Sequence, residues 1–109
     1  MKSVILSGHH LLLTPAIESV TEKKCQKLVR HAPDAIGVKV EMTSEYDHTN
    51  SLLYTVRGEV KISGGPIVAT GSSEDLYKSI DLMVRKLDQQ LRKRHNAWRT
   101  RRKDARIAA

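Results

Sequence analysis

The chain contains no phenylalanine, and its aromatic residues are only Tyr46, Tyr54, Tyr77 and Trp98. A sheet that reads unpaired RNA by stacking bases on two or three strand aromatics is poorly served by so few. Cysteine is nearly absent as well. Cys25 stands alone, so no intrachain disulfide can form, no cysteine metal site can be built, and the thiol reads as a small buried hydrophobe. Long hydrophobic runs are missing: Leu11 to Leu13 is only three residues, where a membrane span needs about 20. The amino terminus has one basic residue and an apolar patch too short for a secretory leader before polar His9-His10 follows. The expectation is a cytoplasmic protein with no membrane partner.

Signs of chemistry are equally sparse. His9, His10, His31, His48 and His95 are scattered without metal-ligand spacing. Gly64-Gly65-Pro66 and Gly71-Ser72-Ser73 lack the glycine spacing and lysine of a phosphate-cradling loop, and no Gly-x-Ser-x-Gly elbow occurs. We therefore expect neither an enzyme nor a cofactor.

What is present is charge, concentrated at one end. Residues 85–109 carry ten Lys or Arg (Arg85, Lys86, Arg92, Lys93, Arg94, Arg99, Arg101, Arg102, Lys103, Arg106) against Asp88 and Asp104, while residues 1–84 carry nine basic and ten acidic side chains. A nearly neutral body with a cationic end suits a polyanion partner, because clustered Lys and Arg release counterions from a phosphate backbone. RNA or DNA is the expected ligand.

At 109 residues the chain has room for one domain and one core. Residues 3–7 and 11–13 read as one extended segment, with Gly8 as a candidate break. Thr14-Pro15 is a helix start, with Thr as N-cap and Pro at the first helical position; Ile17, Val20, Cys25 and Leu28 make its apolar face, and Pro33 stops it near Arg30 or His31. Ile36 to Thr43 and Leu52 to about Ser63 alternate with the period of half-buried strands, joined by a polar connection over 44–51. Gly64-Gly65 is a hairpin turn signal, and Pro66 to Thr70 is the return strand. Ser72 with Asp75 has capping-box spacing, and Leu76, Ile80, Met83, Val84, Leu87 and Leu91 share one helical face as far as about Lys93. The expected fold is α+β, in the order β-α-β-β-β-α: two layers, with both helices packed on one face of a four-stranded sheet and a right-handed parallel first crossover.

On the second helix, Lys78, Arg85, Lys86, Gln89, Arg92 and Lys93 fall on the outer face, with Asp81 and Asp88 on one flank. A merely solvated helix more often interleaves its charges at i, i+4. Arg94 falls back on the apolar side of the wheel, so the helix is expected to leave the sheet beyond Leu91. Lys23, Lys24 and Lys27 form a smaller basic patch on the first helix. Trp98, in the most basic segment, could stack on a base or sugar or fold back on the domain edge.

Leu13-Thr14-Pro15-Ala16-Ile17-Glu18-Ser19-Val20, Ala69-Thr70-Gly71, Glu74-Asp75-Leu76-Tyr77, Ser79-Ile80-Asp81 and Lys86-Leu87-Asp88-Gln89-Gln90-Leu91-Arg92-Lys93 resemble the ribosome hibernation promoting factors and ribosome-associated translation inhibitors, over about residues 3–95. The resemblance implies the same fold, related in shape to double-stranded RNA-binding domains. It also implies a site, the mRNA and tRNA channel of the small ribosomal subunit, where translation is silenced by occupancy in slow growth. Ribosomal RNA contacts carry over to Lys86 and Lys93 by motif position and to Lys78, Arg85 and Arg92 by wheel position. Gln89, Arg94, Lys23 and Lys27 complete the candidate set, although Lys24 stands where the family has an apolar residue. The resemblance divides the chain into a ribosome-binding domain, residues 1–95, and a basic, flexible tail, residues 96–109. Length and the basic tail favour the short hibernation-promoting type, which acts on whole ribosomes beside a separate ribosome modulation factor and is expected to be monomeric when free. A free-standing duplex RNA or DNA binder is the competing expectation.

Overall fold

The computed structural model describes residues 3–30 and 32–94 with their side chains, and residues 95–108 as helical backbone. The elements are β1 (Ser3–His9), α1 (Pro15–Val29), β2 (Gly37–Tyr46), β3 (Leu52–Lys61), β4 (Ile67–Ser73) and α2 (Leu76–Ala108). The strands form one sheet in the order β1-β2-β3-β4. β1 runs parallel to β2, and β2-β3-β4 is an antiparallel meander. The sheet has one buried face: Val38, Val40 and Met42 of β2, Val56 and Val60 of β3, and Ile67 and Ala69 of β4 join Ile17, Cys25, Leu28 and Val29 of α1 and Leu76, Ile80, Met83 and Leu87 of α2. Both helices therefore pack on the same side, and the expected α+β architecture holds.

Several boundaries move. β1 continues through Gly8 to His9. The break comes at His10, with φ 58°, and Leu11–Leu13 form a loop into α1 rather than strand. Thr14 caps α1 by accepting the Ile17 N–H at 3.2 Å, as Thr-Pro predicts. Thr21, not Val20, is the buried partner of Ile17; its hydroxyl donates to the Ile17 carbonyl at 2.8 Å, which satisfies it inside the core.

The start of α2 also differs from the capping-box expectation. β4 extends to Ser73, so Ser72 remains on the strand, with its hydroxyl 3.0 Å from that of Thr55. Asp75 is the cap instead, accepting the Tyr77 N–H at 3.0 Å, while the Asp75 N–H is held by Ser73 Oγ at 3.1 Å. At the other end, α2 does not stop near Lys93 but runs to Ala108. Residues 94–108 contain no Gly or Pro and are rich in Arg, Lys and Ala, all strong helix formers.

What seats α2 is a trough of small residues. Gly58 of β3 and Gly71 of β4 lie beneath it: a Cβ on Gly58 would meet Met83 Sδ at 2.3 Å, and one on Gly71 would meet the Ser79 carbonyl oxygen at 2.4 Å and the Met83 nitrogen at 2.8 Å. Ser79 is wholly buried there, its hydroxyl donating to the Tyr54 carbonyl at 2.8 Å. Because the atoms facing Gly71 are backbone, they cannot rotate aside. Gly71→Ala is expected to lower stability by about 1–3 kcal/mol, the usual overpacking range, seen as a lower urea midpoint with unchanged slope. An unaltered midpoint would contradict the close approach.

Candidate nucleic-acid interface

Two surfaces compete as binding faces, and charge separates them. The open face of the sheet sets Lys39 opposite Glu59 and Glu41 opposite Arg57 across β2 and β3. Its charges come in opposite-sign pairs, with Lys39 also 3.4 Å from Glu41. That face carries no net attraction for a polyanion. The helices do.

Since β1 and β4 point the same way, α1 and α2, which return from them, run side by side in the same direction. Lys24 of α1 and Asp81 of α2 form an ion pair at 2.6 Å, both partly exposed, and this contact fixes the level of one helix against the other. Lys24 thus joins the two helices. The acids of α1, Glu18 and Glu22, occupy its first half, and Lys23, Lys27 and Arg30 its second, complementing the helix dipole.

The candidate residues do not form one homogeneous set. Lys78, Arg85, Gln89, Lys93, Lys23 and Lys27 are exposed, and none has a hydrogen-bond or ion-pair partner among the described residues. Arg92 is exposed but engaged, its Nε 3.1 Å from Asp88 Oδ2 at the favourable i, i+4 spacing. Lys86 is exposed as well but engaged, reaching along the edge of the sheet to donate from Nζ to the Thr70 carbonyl at 2.8 Å. Arg94, half-buried, donates to the Gly65 carbonyl in the β3–β4 turn. Its place on the apolar side of the wheel is explained by that reach: the helix has passed the end of β4 and overhangs the hairpin, whose Gly64 and Gly65 take φ of 90° and 105°. Gln90, absent from the sequence-derived set, sits between them and donates from Nε2 to the Val68 carbonyl at 2.8 Å. Its i+4 relation to both Lys86 and Arg94 was the signal available in sequence. His31 lies outside the described residues, as do the side chains of His95, Trp98 and the cations from Arg99 to Arg106.

A shallow surface depression follows the outer face of α1 past Glu22, Lys23 and Lys27. Among the described residues no group of three or more His, Cys, Asp or Glu could hold a metal ion, and no helix is long and apolar enough to cross a membrane. Asp47, in the β2–β3 loop, accepts from the Thr49 hydroxyl and from the backbone N–H groups of Ser51 and Thr49, and these bonds hold its carboxyl below the usual range. They organise a turn in which Asn50 takes φ 64°.

Fold and charge together define a class: a small two-layer α+β domain with a cationic helix face and a neutral sheet face. Residues 4–99 match the family described as Sigma 54 modulation protein / S30EA ribosomal protein, and the chain belongs to that family. It is 38% identical over 88 residues to a ribosome hibernation promoting factor of Azotobacter vinelandii, covering 81% of this chain and 78% of that one. To a ribosome hibernation promoting factor of Pseudomonas putida it is 32% identical over 90 residues, covering 83% of each. Among solved structures it is similar to a ribosomal subunit interface protein from Coxiella burnetii, with TM-score 0.76 at 26% identity over 86% of this chain and 98% of that one. The N-terminal domain of Protein Y from Thermus thermophilus superposes with TM-score 0.67, also at 26% identity, over 85% of this chain and 98% of that domain.

Cys25 tests the interior beneath this surface. It is fully buried, and burial, with a smaller contribution from Glu22, pushes its thiol from 9.0 to about 11. The fold favours the neutral thiol, so above 9.0 the unfolded chain loses its proton first, and stability should decline with rising pH until about 11. A disulfide reagent at pH 8 should label Cys25 rapidly in denaturant and at least a hundredfold more slowly in the native protein. Comparable native labelling would mean the α1 core opens freely.

Proposed function

We propose that this protein is a ribosome hibernation factor that binds ribosomal RNA of the small subunit through the outward faces of α2 and the second half of α1. It occupies the channel used by mRNA and tRNA and silences translation by occupancy, without catalysis, in the cytoplasm of slowly growing cells. Promotion of ribosome pairing beside a separate modulation factor belongs to the same reading. The observation that carries it is the row of exposed cations on α2, Lys78, Arg85 and Lys93, which have no partner among the described residues, in a chain whose relatives are named for ribosome hibernation.

The decisive experiment is co-sedimentation with small subunits and whole ribosomes. A variant carrying Lys78→Glu, Arg85→Glu and Lys93→Glu should keep its thermal melt, because none of the three side chains makes a polar contact among the described residues, and should lose ribosome binding. Each phosphate contact removed flattens the salt dependence of log K by about 0.7 to 0.9, so the wild type should show a slope steeper by about 2 to 3. Binding unchanged by the triple reversal would overturn the surface. Equal affinity of the wild type for any RNA or DNA duplex would favour a free-standing duplex binder.

A further inference from the structure

Lys86, Gln90 and Arg94 donate, in order, to the carbonyls of Thr70, Val68 and Gly65. The three side chains stand at i, i+4 and i+8 on α2, and the first two carbonyls are alternate residues of β4. The steps match physically. Four helical residues advance about 6 Å, and two strand residues advance about 6.6 Å, so a helix lying antiparallel to a strand presents every fourth side chain to every second carbonyl. β4 is the last strand of the sheet and has no neighbour beyond it. The carbonyls of Val68 and Thr70 accept from α2 and therefore lie on the free edge, while Ile67, Ala69 and Gly71 turn theirs toward β3.

We infer that Lys86, Gln90 and Arg94 act as one unit that closes the free edge of β4 against pairing with a second copy of this chain. An open strand edge is a template for another strand, and natural sheets commonly block it with charged side chains, lysine above all. β4 needs such a block, because residues 66–73, Pro-Ile-Val-Ala-Thr-Gly-Ser-Ser, contain no charge of their own. The strand is also self-complementary. Antiparallel pairing about Ala69 would set Val68 of one copy against Thr70 of the other and Ile67 against Gly71, with no like charges opposed. A second copy is thus the occupant this edge fits, and the three side chains deny it the carbonyls it would bond. On this assignment, Lys86 and Arg94 are structural residues, and the polyanion-facing set contracts to the outward cations. The inference stands apart from ribosome binding, since it concerns the free protein.

Sedimentation velocity and residue-resolved amide exchange on the free, full-length chain test it. The variant Lys86→Ala, Gln90→Ala, Arg94→Ala is expected to dimerise at concentrations where the wild type remains monomeric. In that dimer the Val68 and Thr70 amides, which point to solvent with their carbonyls in the wild type, should gain at least tenfold protection that rises with protein concentration. Arg85→Ala with Lys93→Ala removes as many positive charges without touching β4 and should stay monomeric. Gln90→Glu, which abolishes the central donor on a partly exposed position, should show the same protection at Val68 in weaker form, and decides the matter if the triple variant does not fold. A monomeric Gln90→Glu with unprotected Val68 and Thr70 amides, together with a monomeric or unfolded triple variant, would overturn the inference. So would a dimer in which those two amides still exchange freely.

Discussion

The backbone of α2 rests almost directly on the backbone of β4, and the rest of the molecule is arranged around that contact. A side chain at Gly71 would meet the Ser79 carbonyl oxygen at 2.4 Å, so α2 can occupy its place only over glycine. Once there, its stripe of Leu76, Ile80, Met83 and Leu87 is fully enclosed, each large side chain contributing about 1.5–3 kcal/mol by burial. The same close seat brings Lys86 and Gln90 within 2.8 Å of strand carbonyls. Ser79, too small to hold the helix off the sheet, is used as a pin to the Tyr54 carbonyl. Everything opposite this contact is turned to solvent at a fixed angle.

Rigidity of that kind bears on electrostatics. The sheet face and the helix face both carry many charges, but only the first neutralises itself: Lys39 with Glu59 and Glu41 with Arg57 sit opposite each other in register. On α2 the acids have been moved to the flank that meets α1, where Asp81 holds Lys24 and Asp88 holds Arg92. The carboxylates are thus engaged in positioning helices and side chains, and Lys78, Arg85 and Lys93 are left without an ion-pair partner among the described residues. Exposed ion pairs like these contribute little stability, about 0–1 kcal/mol. Their effect is chiefly on where the uncompensated cations point.

The sequence was most readable where one physical signal dominated. Period-two alternation over Val38, Val40 and Met42, the Thr14-Pro15 helix start and the Gly64-Gly65 turn each reflect a local rule, and the structure obeys all three. Boundaries set by tertiary contacts were not readable. Ser72 has the spacing of a cap, yet strand pairing with Thr55 keeps it in β4 and passes the cap to Asp75. Val20 is more apolar than Thr21, yet a satisfied hydroxyl let Thr21 take the buried position. The candidate site was legible as a face but not residue by residue: a helical wheel reports direction from the axis, and cannot show that Lys86 bends to the sheet edge or that Arg94 finds a turn carbonyl. Gln90 escaped notice because a neutral amide adds nothing to a charge count.

The spacing of the outward cations indicates how a helix this basic can remain folded. Lys78, Arg85 and Arg92 are seven residues apart, a rise of about 10.5 Å. That exceeds the screening length of about 8 Å at physiological ionic strength, so successive members of a row repel one another weakly in the free protein. The intervening i+4 positions after Lys78 and Arg85 hold neutral Leu82 and Gln89, which avoids the closest like-charge contact on a helix. On the reading proposed above, a phosphate chain lying along the same face would release its condensed counterions as it met these cations. On that reading the row is tolerated in the free protein and draws its attraction for a phosphate chain from counterion release.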